Sequence, residues 1–392
     1  MREIACCPEL SDAELRRFGR HLILPEFGLE GQRRLKAGSV LLIGAGGLGC
    51  PAALYLAAAG VGRIGLVDPD RVEETNLQRQ VAHGYSTLGR RKTESAAARM
   101  LDLNPDLILE RHDVFLSVDN ALDLVARYDV VIDGTDNFPT RYLVNDACTK
   151  LGKPNVFGGV LRFDGQLSVF DARHGPCYRC LFPEPPPAEL APNCAEAGVL
   201  GVLPGVIGAL QATEAIKLLT GLGTPLIGRM LVYDGLDLSF DTVSLAKNPA
   251  CPCCSKPAND IVLRAEQMVC SAPVVGQALT PEALRARIDA GEEMLLLDVR
   301  NPDEWLGGTL PGALRIAKPE IERAVQSVLE GEADQAEAVL GAIPRDRDVL
   351  VYCQSGMRSS AAIRALVSAG YNPARLFNLE RGFAGWRREV DQ

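Results

Sequence analysis

Short apolar runs alternate with stretches of helical spacing through the first half of the chain, the pattern of βαβ units laid on a parallel sheet. Val40-Leu41-Leu42-Ile43 predicts a buried strand, and an alanine-rich helix running to about Ala59 follows it. Ile64-Gly65-Leu66-Val67-Asp68 and Asp129-Val130-Val131-Ile132-Asp133 predict two more strands, and residues 204–219 a helix closed by Gly221. The prolines of Phe182-Pro183-Glu184-Pro185-Pro186-Pro187 exclude helix and central strand, so an extended surface loop is expected over residues 182–197. A second α/β pattern starts at Thr280-Pro281-Glu282, with strands at 294–298 and 349–352 and a helix over 359–369. The fold class expected is α/β, a doubly wound sheet followed by a smaller α/β domain. The divisions are 1–260, a linker at 261–277, and 278–392.

Between the first strand and its helix lies Gly44-Ala45-Gly46-Gly47-Leu48-Gly49. Backbone N–H groups at such a helix start can hold phosphate oxygens. Asp68, nineteen residues after Gly49, ends the next strand, where a carboxylate accepts ribose hydroxyls. A nicotinamide-dependent oxidoreductase is the first alternative. Against it stand Asn76, Arg79 and Lys92, more positive charge than hydride transfer requires and suited to a triphosphate undergoing cleavage. Asp136, beside Asn137 in the loop after the third strand, is placed to hold Mg²⁺.

Composition narrows the partners. With 47% apolar and 23% charged residues the chain reads as globular. A net charge of −9 removes any basic field for nucleic acid. The opening Met1-Arg2-Glu3-Ile4-Ala5-Cys6-Cys7-Pro8 has no apolar core of a secretory signal, and the longest apolar stretch, residues 197–210, is too short for a membrane span. The expectation is a cytoplasmic protein without nucleic-acid or membrane partners.

Twelve cysteines in such a chain favour metal binding or thiol catalysis over disulfides. Cys177-x-x-Cys180 and Cys251-x-x-Cys254 suit a structural Zn²⁺ held by four thiolates, with Cys253 as a spare thiol. Cys353-Gln354-Ser355-Gly356-Met357-Arg358 lies between strand and helix, where loop N–H groups can stabilise a thiolate or persulfide. A phosphatase loop has the same cysteine-to-arginine spacing, so spacing alone leaves both chemistries open. Cys6, Cys7, Cys50, Cys148 and Cys270 have no motif around them.

Arg17-Phe18-Gly19-Arg20-His21-Leu22-Ile23-Leu24, the glycine loop, Asn76-Leu77-Gln78-Arg79-Gln80, Gly89-Arg90-Arg91-Lys92 and Thr135-Asp136-Asn137 occur in one order that closely resembles the MoeB/ThiF family of adenylyltransferases, relatives of ubiquitin-activating enzymes. The resemblance covers roughly residues 10–255. It implies a Rossmann-like fold, with ATP and Mg²⁺ at Gly46, Asp68, Arg79, Lys92 and Asp136. The substrate implied is the C-terminal glycine of a small ubiquitin-like sulfur carrier ending Gly-Gly. It also implies zinc at the two cysteine pairs and a homodimer in which Arg20 reaches the other subunit's nucleotide. By similarity to members that bind the carrier covalently, Cys194 is expected to take it as a thioester.

Leu297-Asp298-Val299-Arg300-Asn301-Pro302-Asp303-Glu304-Trp305, Leu310-Pro311-Gly312-Ala313 and Leu379-Glu380-Arg381-Gly382-Phe383-Ala384-Gly385-Trp386 resemble the rhodanese family over about residues 278–390. Many rhodaneses have histidine where this chain has Thr309. Residues 319–343 read as an insertion of helical composition, and Asp298 and Arg300 as supports of the active loop. Together the halves resemble the MoeZ type of fused sulfur-activating protein. That implies a persulfide on Cys353, filled by thiosulfate or a persulfide donor, which turns the adenylated glycine into a thiocarboxylate. Release would go through a disulfide between Cys353 and Cys194. A non-catalytic scaffold of a sulfur relay is the second alternative. The sequence leaves the carrier and its pathway open among molybdopterin, thiamin, tRNA thiolation, cysteine and a siderophore-like metabolite.

Overall fold

The computed structural model describes residues 7–185, 198–265, 276–330, 332–354 and 356–389. It divides into two compact units, residues 1–269 and 270–392.

The first unit is built on an eight-stranded sheet in the order β3-β2-β1-β4-β5-β6-β7-β8. Its strands are β1 (Ser39–Ile43), β2 (Arg63–Val67), β3 (Ile108–His112), β4 (Val130–Asp133), β5 (Asn155–Leu161), β6 (Asp164–Phe170), β7 (Arg229–Asp234) and β8 (Ser239–Ser244). The first five pair in parallel and the last three add antiparallel. β1 is buried along its whole length, as a central parallel strand covered on both faces must be, whereas β8 is an exposed edge strand. On one face lie α1 (Gly28–Ala37), α2 (Gly49–Ala59) and α5 (Val202–Thr220). On the other, α4 (Phe138–Leu151) packs through Leu143, Val144 and Ala147 against Leu41, Ile43 and Val131. α3 (Lys92–Leu103) joins the first face through Ala96 and Met100.

This is the doubly wound α/β architecture expected. The chain winds from β1 through β2 to β3, then returns to β4 on the other side of β1, leaving a crevice where the two directions part. α5 ends in Gly221 at φ 80°, the left-handed cap that glycine adopts without strain. Among the described residues α5 alone is long and apolar enough to cross a membrane by length and composition. Here Leu203, Ile207, Ala212 and Ala215 sink into the core of the unit.

The second unit has a five-stranded parallel sheet in the order β11-β10-β12-β13-β9. These are β9 (Gln277–Leu279), β10 (Met294–Asp298), β11 (Leu314–Arg315), β12 (Asp348–Tyr352) and β13 (Leu376–Leu379). α6 (Pro281–Asp289) starts as its sequence requires, the Thr280 hydroxyl accepting from Ala283 N at 3.2 Å. Residues 319–343 are not an appendage. They form most of α7 (Lys318–Leu329) and α8 (Ala333–Leu340), whose Ile321, Ala324, Val325, Ala336 and Leu340 share a core with Val351 of β12 and Leu366 of α9 (Met357–Ser368). α10 (Gly382–Glu389) closes the opposite face through Phe383 and Trp386.

Candidate functional site

The loops leaving β1, β2 and β4 at their carboxyl ends converge on a cavity of about 400 Å³. It is lined by Gly44, Gly46, Gly47, Asp68, Asn76, Arg79, Lys92, Asp136 and Asn137, bringing together nine of the eleven residues expected at a nucleotide. Gly44, at φ 96°, faces Gly134 O, 2.8 Å from where a Cβ would stand, and a Cβ on Gly49 would fall 1.9 Å from Gly44 O. Those two glycines therefore close the turn. Gly49 serves the backbone rather than the cavity. At Gly46 a Cβ would meet only Gln80 Nε2, at 3.6 Å, so that position faces the open space.

Asp68 is buried beneath the loop, its Oδ2 accepting from Ala45 N at 2.8 Å and its Oδ1 from Asp70 N at 2.9 Å. Lys92 opens α3, and its Nζ lies 2.9 Å from Asp70 Oδ2. Arg79 Nη1 donates to Thr75 O at 3.2 Å, and Asn137 Oδ1 caps α4 by accepting from Thr140 N at 3.0 Å. Asp136 is exposed and lines the cavity. Deeper, Asp133 is fully buried with Oδ2 unpartnered among the described residues. Burial raises its carboxyl above the usual range.

Arg20 lies outside the cavity, exposed in the short helix Gly19–Leu22. Cys194 and Cys270 lie outside the described residues. Several lining residues escaped the sequence reading. Gln80 is buried with Oε1 unpartnered among the described residues, inside a motif already noted. Asp70, the partner of Lys92, could have been found in Asp68-Pro69-Asp70. Phe115 is 76% exposed, between Val114 and Leu116, and this apolar rim just beyond β3 had no periodicity to reveal it.

The four paired cysteines meet. The sulfurs of Cys177, Cys180, Cys251 and Cys254 all lie within 4.8 Å of one another, with Cys177–Cys251 at 3.6 Å and Cys180–Cys254 at 3.4 Å. Zinc with bonds of about 2.3 Å to sulfur sets its ligands roughly 3.8 Å apart in a tetrahedron, so the donor set fits that ion. Cys253 stays outside the four and receives Asn145 Nδ2 at 3.9 Å. Asn145 Oδ1 accepts from Tyr178 N at 2.8 Å, while Arg179 forks onto Asp146 with two 2.8 Å contacts, tying the Cys177 segment to α4.

In the second unit Cys353 follows β12 directly and is fully buried. Gly356 N–H donates to its sulfur at 3.1 Å, and the Ser359 hydroxyl lies 3.5 Å away, at the start of α9. Phe383 N and Ala384 N, from the start of α10, donate to the carbonyls of Cys353 and Gln354 at 2.8 and 3.1 Å. The loop is thus set between two helix N-termini, which favours negative charge on sulfur. Arg358 meets Glu304 through both terminal nitrogens, at 2.5 and 2.7 Å. Burial works against ionisation of Glu304, but the Arg358 fork holds its carboxyl below the usual range. The fork takes one N–H from each terminal nitrogen of Arg358 and fixes the guanidinium plane against Glu304. Asp298 and Arg300 form the expected pair, buried at 2.7 Å, and the guanidinium stacks 4.1 Å from the Phe383 ring centroid.

Residues 18–253 match the ThiF family and residues 280–389 match the rhodanese-like domain. The Mycobacterium tuberculosis protein named "Probable adenylyltransferase/sulfurtransferase MoeZ" is 44% identical, over 97% of this chain and 95% of its own length. A "Sulfur carrier protein adenylyltransferase" of Thermus thermophilus is 53% identical over 62% of this chain and 91% of itself. A crystal structure of Escherichia coli MccB with ATP superposes with a TM-score of 0.52 at 22% identity, over 59% of this chain and 71% of that one, and so shares the fold. The chain therefore belongs to the ThiF family through its first unit and carries a rhodanese-like domain in its second, the make-up of the adenylyltransferase/sulfurtransferase enzymes.

Proposed function

We propose that the first unit binds ATP in the cavity and adenylates the C-terminal glycine of a small ubiquitin-like sulfur carrier ending Gly-Gly. The second unit then converts that acyl adenylate to a thiocarboxylate with sulfur held on Cys353. The observation that carries this reading is the convergence of the Gly46–Gly47 loop, Asp68, Arg79, Lys92 and Asp136 on one cavity. Relatives named for adenylyl and sulfur transfer, one of them on a sulfur carrier, support it.

Gly46 and Gly47 N–H groups have no backbone acceptor among the described residues and take phosphate oxygens. Asp68 accepts the ribose hydroxyls, Phe115 and its apolar neighbours form a wall for the base, and Asn76 and Asn137 complete the polar lining. Arg79 and Lys92 neutralise charge that builds at the α-phosphorus as the carrier carboxylate attacks and pyrophosphate leaves. Asp136 would hold Mg²⁺, which shields the triphosphate from the incoming anion. The four cysteines would hold Zn²⁺, whose role is to fix the fold around α4. Arg20, exposed and outside the lining of its own cavity, serves the nucleotide of a second subunit in a homodimer.

A carboxylate is a poor acyl donor and its mixed anhydride with AMP a good one, so the ATP step makes C–S bond formation downhill. The Cys194 thiolate attacks the acyl carbon and expels AMP, and the terminal sulfur of the Cys353 persulfide then attacks the thioester, expels the Cys194 thiolate and leaves an acyl disulfide. A thiol then attacks the Cys353 sulfur, releasing the thiocarboxylate and leaving a disulfide for an external dithiol to reduce. Cys194 is proposed as the cysteine that accepts the carrier as a thioester. Sulfur comes from thiosulfate or a persulfide donor, and the chain works in the cytoplasm.

The test uses a recombinant ubiquitin-fold protein ending Gly-Gly as carrier. ATP–pyrophosphate exchange is expected only in its presence and is lost when its final glycine is removed. Exchange at the same rate without any carrier contradicts the assignment.

A further inference from the structure

His83 belongs to none of the motifs, yet it stands between two walls of the cavity. It is buried beneath the phosphate loop, with Nε2 3.0 Å from Ala45 O and Nδ1 3.0 Å from Ser95 Oγ of α3, the helix that Lys92 opens. A carbonyl oxygen only accepts, so the Nε2 proton points at Ala45 O. The Cys50 thiol donates to the same oxygen at 3.2 Å. On the other side of Ala45, its N–H is taken by Asp68 Oδ2. The residue before Gly46 is thus held at both its polar groups by side chains that the notion of a bare glycine turn would not require.

Planarity makes this consequential. In a trans peptide C=O and N–H point in opposite directions, so drawing Ala45 C=O down toward His83 turns the Gly46 N–H away from it. Gly46 lines the cavity, and its N–H has no backbone acceptor among the described residues. We infer that His83 is a positioning residue for nucleotide binding: through Nε2 it fixes the Ala45–Gly46 peptide so that the Gly46 N–H is presented to a phosphate oxygen, while its Nδ1 side keys the loop to α3. This rests on the nucleotide reading of the cavity given above.

Two substitutions of similar polarity separate this role from plain packing. In His83→Gln the amide nitrogen can occupy the place of Nε2 and keep the donor to Ala45 O. In His83→Asn the shorter amide reaches only the place of Nδ1. Binding of Mg-ATP to the full chain, measured by titration calorimetry, is expected to weaken about tenfold in His83→Asn and to stay within about twofold of wild type in His83→Gln. Thermal unfolding of both variants, followed in parallel, is expected to shift alike. Equal ATP affinities for the two variants, whether both retained or both lost, overturn the inference. If the unsubstituted chain binds no ATP, the nucleotide reading itself fails.

Discussion

The two units solve the same problem at the same kind of place and differ in where the parts come from. Each sets its chemistry in the loop after a central parallel strand, at the start of a helix. The Cys353 loop does this with six consecutive residues, steadied by Gly356 N–H and two helix ends. The nucleotide cavity instead gathers segments from Gly44 to Asn137 and reaches Pro204. A bound atom needs only a cradle, so a contiguous loop suffices. A nucleotide some ten ångströms or more long needs walls from several strand ends, which the switch in winding between β1 and β4 supplies.

The difference predicts how each half breaks. Cys353→Ser is expected to reduce thiosulfate-to-cyanide sulfur transfer roughly a thousandfold or more, since no other described cysteine lies in this loop, and to leave ATP–pyrophosphate exchange intact. Joint loss of both activities would show that the units do not divide the labour as proposed. Next in size is Cys177→Ser, which removes one of four clustered sulfurs. It should lower the unfolding midpoint of the first unit by about 10 °C or more in scanning calorimetry, while a transition belonging to the second unit stays in place. Treatment with a zinc chelator should reproduce it.

The smallest expected effect is Glu304→Gln, which costs the second unit about 1 kcal/mol at pH 7 by weakening the Arg358 fork. Its carboxyl titrates lower in the folded chain than in the unfolded one. The stabilisation is therefore complete above the usual glutamate range and fades as pH falls through the lower, folded value. Urea unfolding measured from pH 6 down to pH 3 should show that fading in the wild type and a flatter curve in Glu304→Gln. Parallel curves would remove Glu304 from the account.

The same contrast explains what the sequence disclosed. Strands such as Val40–Ile43 and helix punctuation such as Thr280 and Gly221 are local, and they stand where their patterns place them. Ordered motifs led to nine cavity residues, six of them in the loops that directly follow β1, β2 and β4 and three, Asn76, Arg79 and Lys92, in the segment between β2 and β3. Phe115 and His83 carry no local signature, and the motif around Gln80 does not mark its burial, since their importance arises from what the fold sets opposite them. Residues 319–343 have the helical composition expected of them, but amphipathic helices do not announce which core they cover. Here Ile321 and Leu340 complete one.

The central claim is that ATP is broken at its α-phosphorus by the carrier's own carboxylate. The direct measurement is a single turnover with a Gly-Gly carrier whose terminal carboxylate carries ¹⁸O, followed by mass spectrometry of the nucleotide released when sulfur displaces it. AMP bearing one ¹⁸O is the predicted product. Label in orthophosphate, with ADP as the nucleotide, would contradict the account.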